Sequence, residues 1–184
     1  TVASDLTVAD GNGRISIGAY LSRLDKRALA GFRIQDLTTA AAFARYAAEH
    51  GLVDVNVFSD QLQVLQTACA GQSGVRAILD CSGAELADPT EAAALACRAG
   101  ARAVVLDQSA ARPETVRAIQ TRGVAVWVRT DGGAAAYAAI LSGADGLVTG
   151  DWVGTMDAVE SFPAGRRVLT RTPVLTAHRG FHET

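Results

Sequence analysis

"GVAVWVRTDGGAAAYAAILSGADGLVTGDW", residues 123–152, decides the fold. Residues 124–130 are a run of β-branched and aromatic side chains, the composition of a strand. The glycines at 132 and 133 open a turn, and the alanine-rich stretch 132–142 has helical spacing. Gly143 follows it, in the place where a helix ends in a left-handed residue. Residues 146–149, "GLVT", form a second apolar run. Neither run alternates apolar with polar, as a strand covered on both faces does not. A strand, a helix and a second strand of this length make a unit whose two strands lie parallel.

The same unit recurs along the chain. Strand-like runs occupy Gly31–Leu37, Val53–Ser59, Val75–Cys81, Arg102–Asp107, Val124–Thr130, Gly146–Thr149 and Pro173–Ala177. Helical patterns lie at 38–50, 60–70, 89–99, 112–122 and 132–142, with an earlier helix at about 16–27. Gly51, Gly74, Gly100, Gly123 and Gly143 punctuate the units at intervals of 23, 26, 23 and 20 residues, one helix plus one strand. The expected fold class is α/β, a parallel βα repeat with partial TIM-barrel-like (β/α) architecture. A complete barrel takes about 250 residues; this chain has 184 and six or seven strands in its pattern.

With 49% hydrophobic and 20% charged residues, the chain can bury a core. A net charge of −2 gives no electrostatic case for nucleic acid as a partner. No apolar run reaches the roughly 18 residues of a membrane helix, so no transmembrane segment is expected. Cys69, Cys81 and Cys97 are separated by 12 and 16 residues, which matches no zinc pattern. They read as small buried hydrophobes. The compartment is undetermined.

Function in parallel α/β folds collects where strands end. The residues there are Asp36, Ser59-Asp60, Asp80, Asp107, Thr130-Asp131, Gly150-Asp151 and His178-Arg179. Such a row of carboxylates could hold a hard divalent cation through oxygen. Asp60 and Asp131 also stand just before helices, where a short acid caps exposed N–H groups. "TDGG" (130–133) and "TGDWVG" (149–154) could bring N–H groups to a phosphate or serve as ordinary turns. His178 carries an imidazole able to move a proton near neutral pH. Arg179 carries a planar fork that matches phosphate oxygens. His50, at a helix end, reads as structural, and His182 is ambiguous. Trp127, mid-strand, has two readings, core residue and substrate contact.

These residues carry a resemblance. "VLTAHRG" (174–180) looks like the opening strand of glycerophosphodiester phosphodiesterases, an apolar strand ending in His-Arg-Gly. "GVAVWVRTDG" (123–132) and "SGADGLVTGDW" (142–152) are similar to that family's last two strands. "VDVNVFSDQLQVLQTA" (53–68) looks like its strand ending in Ser-Phe, and "GFRIQDL" (31–37) falls at its Glu-Ile-Lys strand. Late strands precede an opening strand, so the resemblance implies two tandem copies. Residues 1–162 would be the C-terminal portion of a degenerate phosphodiesterase-like barrel, 163–172 a linker, and 173–184 the first strand of the next barrel.

The implied activity is hydrolysis of a small-molecule glycerophosphodiester to glycerol 3-phosphate and an alcohol, with a divalent cation, Ca²⁺ or Mg²⁺. His178 would be the acid/base, Arg179 a phosphate contact and Trp127 a substrate contact; the metal ligands are not assigned. The chain departs from the pattern. Gln35 falls about where a metal-binding Glu is expected, and Gly150 replaces an Asp. Arg129 and Thr130 replace Val-Asn. The family's Pro-Glu-Asn-Thr, its Glu-x-Asp strand and its second histidine have no counterpart. The expectation is a chain that is inactive alone, with a ligand-binding or structural barrel portion as the alternative. An exposed sheet edge at Gly31–Leu37 would favour a dimer.

Overall fold

A computed structural model describes residues 1–9, 13–25, 27–83, 88–162 and 174–177. The backbone divides into two units, residues 1–80 with 95–102, and residues 81–94 with 103–184. Each is built of parallel strands alternating with helices, so the α/β class and the partial-barrel architecture hold.

The first unit opens with a short antiparallel hairpin, β1 (Thr7–Ala9) and β2 (Arg14–Ser16), which the sequence pattern did not show. Three residues per strand carry too little alternation to read. Helix α1 (Ile17–Leu24) follows at once, capped by Ser16, whose hydroxyl accepts from Ala19 N at 3.2 Å. Next come β3 (Gly31–Arg33), α2 (Leu37–Glu49), β4 (Val55–Ser59), α3 (Leu62–Ala68) and β5 (Val75–Asp80). The strands pair in the order β3-β4-β5, all parallel. Helix α2 buries Thr39, Ala40, Phe43 and Ala47, spaced to form one stripe. Phe43 meets Phe32 of β3 with ring centroids 5.6 Å apart, and Tyr20 of α1 meets Phe32 at 5.7 Å. Phe32 therefore faces the helices, and alternation sends Gly31 and Arg33 to the opposite face of the sheet.

Strand β3 ends at Arg33, well short of the expected Leu37, because Asp36 starts the next helix. Thr39 N donates to Asp36 Oδ1 at 2.8 Å, and the Thr39 hydroxyl donates to Oδ2 at 2.8 Å. The hydrogen bond from the Thr39 backbone, and then that from its side chain, hold the Asp36 carboxyl below its ordinary range. A lowered native pKa favours the fold above the unfolded-state value and loses that contribution as pH falls through the native one. Asp36→Ala is thus expected to lower the melting temperature near neutral pH. The gap from wild type should close in acid, as thermal melts across pH would show. The outer edge of β3 is not bare either: Val2 N donates to Arg33 O at 2.8 Å.

The second unit holds β6 (Ala103–Asp107), α5 (Pro113–Gln120), β7 (Ala125–Thr130), α6 (Gly133–Leu141), β8 (Gly146–Thr149), α7 (Trp152–Glu160) and β9 (Val174–Ala177). Helix α4 (Pro89–Ala99) precedes β6. The strands pair in parallel in the order β6-β7-β8-β9, with Gly146 opposite Val174 and Thr149 opposite Ala177. Residues 103–106 and 146–149 are buried throughout, which is why they read as unbroken apolar runs. Tyr137 of α6 stacks on Phe162 just past α7, with centroids 4.5 Å apart. The expected linker, 163–172, lies outside the described residues.

Four of the five punctuating glycines have the left-handed backbone expected of them. Gly74 does not. A Cβ there would lie 2.4 Å from Leu52 O and 2.7 Å from Val53 Cα, so glycine is required by a close backbone approach. The left-handed turn before β5 is made by Gly71 instead, at φ 68°.

Candidate functional site

The C-terminal ends of the strands in each unit carry the residues that the sequence brings forward. In the first unit, register sets Arg33 beside Phe58, and Phe58 beside Ile78. Asp80 is two residues beyond Ile78 and on the same face. Arg33 NH1 forms an ion pair with Asp80 Oδ2 across the intervening strand β4. The Asp80 side chain is only 2% exposed, while that of Arg33 is 28% exposed. The carboxylate thus sits behind and the guanidinium in front. Gln35, expected in a ligand position, is exposed beyond the strand end, and its carbonyl accepts from Gln61 Nε2 at 2.9 Å. Arg33 is the residue that sequence reasoning missed. Its signal was a charge inside the apolar run "GFRI".

In the second unit, β7 alternates cleanly. Val126, Val128 and Thr130 are buried, whereas Trp127 and Arg129 are partly exposed on the other face. Trp127 lies opposite Val105 on one side and Gly146 on the other, where glycine leaves room for an indole. Arg129 lies opposite Asp107, whose Oδ2 accepts from Gly83 N at 2.6 Å.

The two glycine-bearing loops converge on one carboxylate. Asp151 caps α7, with Gly154 N donating to its Oδ1 at 3.0 Å. A Cβ on Gly132 would fall 2.3 Å from Asp151 Oδ2, and one on Gly154 would fall at the same distance. The N–H groups that could have met a phosphate here have the chain's own carboxylate beside them. The Thr149 hydroxyl accepts from Asp151 N at 3.0 Å and keeps the loop closed. Asp60 and Asp131 do not cap their helices. The cap positions fall one residue later, on Gln61 and Gly132, and neither makes a side-chain cap bond.

His50 is structural, as expected: it ends α2, its Nδ1 is 3.0 Å from Tyr46 O and its ring stacks on Tyr46. Cys81 is buried and Cys69 half-buried, but Cys97 is exposed, so only part of the trio behaves as small buried hydrophobes. Burial pushes the Cys69 thiol up to about 11, which keeps it neutral. Cys69 and Cys97 line a cleft of about 790 Å³ at the N-terminal end of β5, with Arg76, Arg98 and Arg102. That cleft is at the far end of the strand from Asp80. Arg98 stands in the last turn of α4, where carbonyl groups favour cations, and Arg76 pairs with Asp54.

A divalent cation, implied by the resemblance, needs several oxygen ligands converging on one point. The described residues do not fit one. No three His, Cys, Asp or Glu side chains gather among them. Asp36 is engaged by Thr39, Asp80 by Arg33, Asp107 by Gly83 and Asp151 by Gly154. His178, Arg179, His182 and Glu183 lie outside the described residues.

No family model matches the chain, and no curated relative matches it. Solved structures do. A glycerophosphodiester phosphodiesterase from Agrobacterium tumefaciens superimposes with a TM-score of 0.59 at 19% identity, over 77% of this chain and 59% of that one. A protein from Silicibacter pomeroyi, assigned as a glycerophosphoryl diester phosphodiesterase, gives 0.69 at 14% identity, over 87% of this chain and 59% of that one. The chain thus spans 59% of the length of each, and over most of its own length it shares their fold.

Proposed function

We propose that this chain is part of a glycerophosphodiester phosphodiesterase-like protein in which residues 1–162 are a non-catalytic barrel portion and the chemistry belongs to His178-Arg179 with residues that follow them. The shared fold is the observation that carries the reading. The Arg33–Asp80 pair, in place of a set of metal ligands, favours the non-catalytic role for the first unit.

In this reading the substrate is a small glycerophosphodiester. Arg179 offers paired donors to the phosphate oxygens and orients the diester. His178 takes a proton from the attacking water as its oxygen bonds to phosphorus, or returns one to the alkoxide as its bond to phosphorus breaks, so that one water is consumed and glycerol 3-phosphate and an alcohol result. Trp127, in the non-catalytic portion, would give a glycerophosphodiester bound there an apolar wall. The divalent cation, Ca²⁺ or Mg²⁺, would be bound by residues other than those described. No nucleic-acid role is included, and among the described residues no helix is long and apolar enough to cross a membrane. A dimer through the part of the β3 edge that Val2 leaves unpaired belongs to the same proposal.

Release of glycerol 3-phosphate from glycerophosphocholine, with Ca²⁺ or Mg²⁺ added, tests the reading. This chain alone should show no turnover. A polypeptide that continues past Thr184 into a complete barrel should turn over, and His178→Ala should abolish it. Turnover in the longer protein that survives His178→Ala would refute the assignment.

A further inference from the structure

We propose that Arg33, held from behind by Asp80, binds an anionic phosphoryl group on the inner face of the first unit without a divalent cation. The relationship to phosphodiesterases enters only in choosing phosphate as the anion.

The pair has the layout of a recognition group rather than of a core brace. The carboxylate is 2% exposed and the guanidinium 28% exposed, so the positive end is the one a ligand can reach. Guanidinium carries five N–H donors in a rigid plane and stays charged at any working pH. Only NH1 is engaged by Asp80. Nε and NH2 make no hydrogen bond among the described residues, which leaves an edge of the fork for two oxygens of a phosphate. Asp80 fixes the orientation of the fork, so little rotamer freedom remains to be lost on binding. Phe58 occupies the strand between them on the same face, with its ring against Gly31, where an added Cβ would come within 2.9 Å of it.

Stability alone does not account for this pair. A partly buried ion pair gains little over a well-packed apolar pair of the same volume. Nor do the described residues of the first unit gather oxygen ligands for a cation, and Asp80 is already matched by a cation that is part of the chain. A phosphate's charge would therefore be met by Arg33 itself.

Calorimetric titration with inorganic phosphate, in excess chelator and against matched chloride, tests this in the whole chain. Binding should occur with chelator present and be unchanged by Ca²⁺ or Mg²⁺. The double variant Arg33→Met/Asp80→Leu removes both charges together and keeps the volume, and should bind at least tenfold more weakly. No binding in chelator, a need for the cation, or a smaller loss in the double variant would overturn the proposal. A second readout needs no variant fold: in the wild-type protein the Arg33 Nε–H resonance should move during the titration, and a stationary resonance would be a refutation. Turnover is not measured, so the proposal can fail while the phosphodiesterase reading stands, and the reverse.

Discussion

Arg33→Met alone should destabilise the protein by about 1–3 kcal/mol, the cost of taking a charged hydrogen-bond donor from a buried carboxylate. Asp80 is 4% exposed as a residue, and its carboxylate would face methionine where it faced a guanidinium. Water cannot fully replace the lost donor behind a packed strand. The companion variant, Arg33→Met/Asp80→Leu, should return most of the loss, because two apolar side chains then fill the space that two charges held. Urea unfolding measures both. The midpoint should fall steeply in the single variant and recover in the double, with the slope unchanged. A single variant that loses under about 1 kcal/mol would mean that Arg33 is not what compensates Asp80.

This contrast has a functional side. If the double variant is as stable as the wild type, the pair is not retained for stability. A role in contacting a ligand then explains why a charge stands inside the apolar run "GFRI". In the fold, one guanidinium on β3 neutralises the acid on β5 across β4.

The repeat was legible in the sequence because the strands are covered on both sides. "AVVL" and "GLVT" are buried at every position, as strands of a parallel sheet flanked by helices are. The strand boundaries were less legible. The pattern ran β3 to Leu37, but the hydrogen bonds from Thr39 to Asp36 end it early. Arg33 therefore stands at the end of the strand, and Gln35, where the resemblance implies a Glu, lies beyond it. Caps failed for a similar reason. Asp60 and Asp131 stand one residue too early, and a side chain placed one position off the cap has its oxygens out of reach of the free N–H groups. Pairing between distant strands, such as Arg33 with Asp80 across β4, leaves no local trace. The His178-Arg179 assignment rests on its tripeptide and the strand that leads to it, and both residues lie outside the described region.

Gly132→Ala should cost roughly 2–4 kcal/mol, from backbone strain and overpacking together. Gly132 has φ 89° and ψ −174°, a region that side-chain-bearing residues scarcely enter. Its Cβ would also lie 2.3 Å from Asp151 Oδ2, 2.9 Å from Cγ and 3.0 Å from Cβ. The whole side chain of Asp151 would have to give way, not merely its tip. Asp151 cannot swing aside freely, because it caps α7 through Gly154 N. The strain and the lost cap should therefore appear together. Asp151→Ala in the Gly132→Ala background separates them: it relieves the clash but not the backbone conformation, so it should restore only part of the loss. Full restoration would place the whole cost in the contact. No restoration would place it in the backbone. Either way the experiment reports on the same junction, where "TDGG" and "TGDWVG" meet around a carboxylate supplied by the chain.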